Sequence, residues 1–93
     1  MNNNNVTKNE NIINDEGEEI TLFFVFSNEK EIYLDVKHSY TFNEVIKQLS
    51  NKYDWVNKLK ILNYEFNGKK IDPNKTVKEI GLKDKSKIII NLE

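Results

Sequence analysis

The stretch Ile20-Thr21-Leu22-Phe23-Phe24-Val25-Phe26 constrains the fold of this chain more than any other. Its alternation predicts a β-strand with Ile20, Leu22, Phe24 and Phe26 on one face, a row too apolar to be left in water. The opposite face carries Thr21, Phe23 and Val25, so the strand is largely apolar on both sides. A chain of 93 residues, 38% of them hydrophobic, has material for one core and so for one small domain. Such a domain hides only about 60 to 65% of the surface its unfolded chain exposes, so nearly every apolar residue must serve that core.

The remaining elements follow from the same kind of patterning. After a turn at Ser27-Asn28-Glu29, Ile32, Leu34 and Val36 alternate with Glu31, Tyr33, Asp35 and Lys37. This predicts a second strand that forms a hairpin with the first and has one buried face and one wetter face. Thr41 followed by Glu44 predicts a capping box, with the hydroxyl accepting from a free helix N–H and the carboxylate reaching back to another. The helix then starts at Phe42, and Phe42, Val45, Ile46, Leu49 and Tyr53 form the stripe of a helix lying on a sheet. Lys60 to Phe66 reads as a third strand, and Asn67-Gly68 as a two-residue hairpin turn, since both residue types tolerate positive φ. Lys69 to Ile71 returns as a short strand. Asp72-Pro73-Asn74 turns again, Thr76 caps one helical turn through Ile80, and Gly81 closes it in a left-handed conformation. Lys87 to Leu92 is the last strand. Residues 1–19 read as a disordered, acidic and Asn-rich tail, because Val6, Ile12 and Ile13 are too few to bury a face, and residues 20–93 read as the folded domain.

Composition removes whole classes of function. With no Cys and one His there is no thiolate ligand, no cysteine nucleophile and no His cluster, so no metal site, cofactor or catalytic residue is expected and the chain is not read as an enzyme. The formal charge of -1 resolves into -4 for residues 1–19 and +3 for residues 20–93, well short of the basic excess of a nucleic-acid binder. The absence of both Arg and Ala, with abundant Asn, Lys and Ile, is what an AT-rich coding sequence produces, so the choice of Lys over Arg carries no functional weight. There is no apolar run of about 18 residues to cross a membrane. The expectation is a cytoplasmic or nuclear protein with no nucleic-acid, membrane or small-molecule partner, a monomer on its own or a subunit of a larger complex.

Strand, strand, helix, strand, short strand, helical turn, strand is the order of a β-grasp. This is an α+β fold in which a mixed four- to five-stranded sheet packs on one helix. Residues 20–93 resemble ubiquitin and the SUMO-type modifiers in that order and in several motifs. These are the Thr41-led cap with Val45 and Leu49, Phe66-Asn67-Gly68-Lys69 with Ile71, Thr76-Val77-Lys78-Glu79-Ile80-Gly81-Leu82, and Ser86 with Ile88 and Ile90. The stretch Thr76 to Leu82 and the acidic tail are closer to SUMO. Conjugatable modifiers end in Gly-Gly, whereas this sequence ends Asn91-Leu92-Glu93. The resemblance therefore implies either a non-conjugated ubiquitin-like protein or a domain cut from a longer chain, such as a modifier or an N-terminal ubiquitin-like domain.

The resemblance also locates surfaces that this sequence alters. The apolar patch used by ubiquitin receptors maps to Glu65, Asn91 and Ser27, with Ile89 its only apolar survivor. Burying an unpartnered Glu65 there would cost several kcal/mol. The basic positions flanking the SUMO peptide groove map to Asp35, Lys37 and Glu44, of which one keeps its charge. Strand alternation points elsewhere. With the first strand between the second and the last, Phe23, Val25, Tyr33 and Ile89 form an apolar patch on the sheet face away from the helix, the candidate partner-binding site. The competing reading is a cross-strand aromatic pair, worth about 0.5 to 1 kcal/mol to the hairpin and nothing more. His38 reads as a loop histidine, Trp55 as a cover over the helix end, and Lys58, Lys60, Lys69, Lys70 and Lys75 as a solvated lysine face. The function expected is that of a protein-interaction module, an adaptor or small subunit.

Overall fold

The computed structural model describes residues 18–93, so the tail expected over residues 1–19 lies almost entirely outside the described residues. Five strands and two α-helices follow in the anticipated order: β1 (Glu19–Phe26), β2 (Glu31–Lys37), α1 (Phe42–Lys52), β3 (Ile61–Phe66), β4 (Lys69–Lys70), α2 (Val77–Ile80) and β5 (Ser86–Leu92). The sheet order is β2-β1-β5-β3-β4. β1 is antiparallel to β2 and parallel to β5, so the sheet is mixed and β1 lies inside it.

The alternation of β1 does what its pattern requires. Ile20, Leu22, Phe24 and Phe26 are buried, and Leu34 and Val36 of β2, Ile88 and Ile90 of β5, and Phe42, Val45 and Leu49 of α1 close around them. Each such side chain contributes about 1.5 to 3 kcal/mol by leaving water, so the four from β1 alone rival the net stability of about 5 to 15 kcal/mol typical of a domain. Among the described residues no polar side chain is buried in this core.

Both helices are started by capping boxes. Thr41 Oγ1 accepts from the Glu44 amide at 3.2 Å while Glu44 Oε1 accepts from the Thr41 amide at 2.8 Å, and Thr76 with Glu79 repeats the arrangement at 3.0 and 2.8 Å. Asn67 and Gly68 take φ of 53° and 79°, the paired left-handed turn their sequence predicts. Gly81 ends α2 at φ 91°. Glu29 and Lys85 also adopt positive φ, which their side chains do not announce.

One element was not legible. A 3-10 helix over Asp54–Lys58 follows α1 and buries Val56. It turns Trp55 onto the core margin, its ring 5.4 Å from Phe26 and 6.2 Å from Tyr53, with Lys30 Nζ 5.0 Å from the ring centroid. Trp55 therefore covers the helix end, as its sequence position suggested.

The two faces of β1 should respond differently to truncation. Phe24→Ala, inside the core, is expected to cost about 3 to 5 kcal/mol and leave little folded protein. Phe23→Ala, on the outer face, should cost about 1 kcal/mol, a contrast that urea denaturation of both variants measures. Gly81→Ala should cost about 1 to 2 kcal/mol through backbone strain alone, because no atom lies within 4 Å of the added Cβ.

Candidate functional site

The outer face of the sheet is assembled by register. Phe23 of β1 stands directly opposite Tyr33 of β2, and Val25 stands beside Ile89 of β5. The four side chains are thus neighbours. The Phe23 and Tyr33 rings are 6.4 Å apart at an interplanar angle of 54°, a tilted aromatic pair. Phe23, Val25 and Ile89 are half-buried, while Tyr33 is 50% exposed and is one of two large exposed apolar residues among the described residues. The other, Leu62, sits at the irregularity in the β3–β5 pairing between Ile61 and Asn63, away from this patch.

The rim carries charge of both signs, including Glu65 of β3 opposite Ile89. On the β2 side lie Glu31, opposite Val25, and Asp35, opposite Thr21. Lys87 stands beside Phe23 on the β5 side. Asp35 Oδ1 accepts from the Thr21 hydroxyl at 2.6 Å, which holds its carboxylate along the strand boundary.

Two residues that sequence reasoning did not assign to this face complete it. Tyr53, the C-cap of α1, donates its hydroxyl to the Tyr33 carbonyl at 3.1 Å on the free edge of β2. Lys52 places Nζ 4.6 Å from the Tyr33 ring centroid and 5.3 Å from that of Tyr53. An ammonium over an aromatic face is an electrostatic attraction of about 0.5 to 1 kcal/mol at an exposed site. The helical period put Tyr53 on the core stripe and gave no signal that its hydroxyl would reach around the sheet edge.

The positions mapped from ubiquitin and SUMO are occupied otherwise. Asn91 Nδ2 donates to Asn63 Oδ1 at 2.8 Å and to Glu65 Oε2 at 3.0 Å, and the Leu92 amide donates to Ser27 Oγ at 3.0 Å. Asn63, Glu65 and Asn91 thus form a hydrogen-bonded polar cluster. Glu44 is committed to its capping box, and Asp35 to Thr21. His38 lies in the loop after β2, 17% exposed, with Nδ1 3.4 Å from Glu18 Oε1 but without hydrogen-bond geometry. Among the described residues no group of three or more His, Cys, Asp or Glu is placed to hold a metal ion, and no helix is long and apolar enough to cross a membrane.

Burial disfavours the phenolate of Tyr64 on β3 and pushes its pKa upward. Its ring packs edge-on against Phe42 at 5.2 Å. The folded form holds this proton above the ordinary tyrosine range, so stability from this group is full below the unfolded pKa and is lost as pH rises through the folded one. Tyr64→Phe should therefore reduce the loss of stability above about pH 10, read from thermal melts of both proteins. Tyr53→Phe should lower stability by about 0.5 to 1.5 kcal/mol, because the Tyr33 carbonyl loses its donor. Equal denaturation midpoints for the two proteins would show that this contact contributes nothing.

Comparison with known proteins agrees with the architecture. Residues 20–91 match the family model described as Ubiquitin-2 like Rad60 SUMO-like. A comparison with curated proteins finds no match.

Proposed function

For this chain, which belongs to the ubiquitin-2-like Rad60 SUMO-like family, we propose a role as a protein-interaction module that holds its partner non-covalently on the outer face of the sheet. The observation that carries this reading is the patch of Phe23, Val25, Tyr33 and Ile89, set side by side by strand register on the sheet face away from α1. Apolar surface left in water is costly, and contiguous patches of a few hundred Å² concentrate at contact sites.

The rim gives the partner a chemistry. Glu31 and Asp35 face it from the β2 side, where Lys52 also lies over the Tyr33 ring, and Lys87 and Glu65 flank it on the other side. Charges of both signs around the patch fix a partner's register, and a partner with like charges opposite them is rejected. The module acts by binding rather than by catalysis, as an adaptor or as a small subunit. Size-exclusion of native extract separates those two roles, since an exchanging adaptor elutes partly at low mass.

Replacing Phe23 and Tyr33 together by Ser should leave the circular dichroism of the fold in place while abolishing recovery of the partner from native extract. Undiminished recovery with the double variant would overturn the outer-face reading.

A further inference from the structure

The opposite edge of the sheet carries a second surface. A cleft of about 390 Å³ opens where the β3–β4 hairpin meets α2, lined by the half-buried side chains of Phe66, Ile71 and Ile80 and by Lys69, Lys70 and Lys75. That volume lies at the small end of the range for ligand pockets and suits one or two side chains of a peptide. Asp72 and Glu79 also line it, but their carboxylates are turned to their own backbone. Asp72 Oδ1 accepts from the Asn74 amide at 3.0 Å, and Glu79 Oε1 from the Thr76 amide at 2.8 Å. Among the described residues no carboxylate forms an ion pair with Lys69, Lys70 or Lys75. Three unpaired ammonium groups around an apolar lining are complementary to carboxylates flanking an apolar side chain.

We propose that this cleft binds an acidic linear segment of a protein partner, with an aliphatic or aromatic side chain seated against Phe66, Ile71 and Ile80 and its flanking carboxylates held by Lys69, Lys70 and Lys75. A peptide fits these features better than a nucleic acid does. Phe66 is half-buried in the fold rather than presented as a face for base stacking. The solvated lysine face expected from sequence is thus divided: Lys69, Lys70 and Lys75 share a cleft that Lys58 and Lys60 do not line. Because β4 and β2 are the two ends of the sheet, this site is separate from the outer-face patch and stands independently of it. One module can then hold two partners at once.

The test is amide NMR of the isotope-labelled chain titrated with a capped Asp-Glu-Leu-Asp-Glu pentapeptide. The expected result is saturable shifts confined to residues 66–71 and 75–80. The charge-reversed K69E/K70E/K75E variant, with its fold checked by circular dichroism, should bind about tenfold more weakly, and so should the parent in high salt. A peptide with Gly in place of Leu should bind several-fold more weakly, and the F23S/Y33S variant should bind as the parent does. The proposal is overturned by shifts that do not saturate and spread to Lys47 and Lys87, by undiminished binding to the charge-reversed variant, or by tighter binding of an oligouridylate at the same amides.

Discussion

The parallel pairing of β1 with β5 organises everything else in this fold. It joins Leu22 to Ser86, 64 residues apart in the sequence, and sets Phe24 beside Ile88 and Phe26 beside Ile90. Closing a loop of that length costs about 4 kcal/mol in chain entropy beyond a constant term. The contact that offsets it is apolar and local to the pair: Phe24, Phe26, Ile88 and Ile90 are buried together with Phe42, Val45 and Leu49 of α1. Without it the two hairpins would be isolated ribbons, each with one apolar face in water. With it, the β2 hairpin and the β3–β4 hairpin lie on either side of a common centre, and the helix has a sheet to cover.

The same pairing creates the outer face. Strand side chains alternate, so fixing Leu22, Phe24 and Phe26 inward leaves Phe23 and Val25 outward with no further choice, and β5 brings Ile89 alongside. A chain selected only for stability would place polar residues there, as it does at Asn63, Glu65 and Asn91, where hydrogen bonds join the side chains across β3 and β5. The contrast between these two halves of one face, polar over β3 and apolar over β1, is what gives the patch its meaning. Lys52 and Tyr53 add a further constraint, since they hold the Tyr33 edge from the helix side without covering its ring fully.

Much of this was legible in the sequence because it depends on short-range chemistry. Thr41 with Glu44, Asn67-Gly68 and Gly81 each specify a local conformation, and each adopts it. The inward rows of β1, β2 and β5 follow from alternation, and the placement of β1 between β2 and β5 is what the resemblance to a β-grasp implies. What sequence could not supply is geometry between distant side chains. The 3-10 helix has one buried residue, Val56, and so no period to detect. The Tyr53 hydroxyl finds a carbonyl 20 positions away, and the lysines at 69, 70 and 75 share a cleft only because a hairpin and a helical turn meet. Glu29 and Lys85 hold positive φ because the turns around them demand it, not because their side chains favour it.

The central claim is that the outer face over β1 is where a partner sits, and site-directed photo-crosslinking tests it most directly. A photoreactive residue at Lys87, on the rim beside Phe23, should give a discrete cross-linked protein in native extract. That product should disappear when Phe23 and Tyr33 are Ser, and the same group at Lys47, on the exposed face of α1, should not form it. An identical product from Lys47, or one from Lys87 that survives the double substitution, would contradict the account.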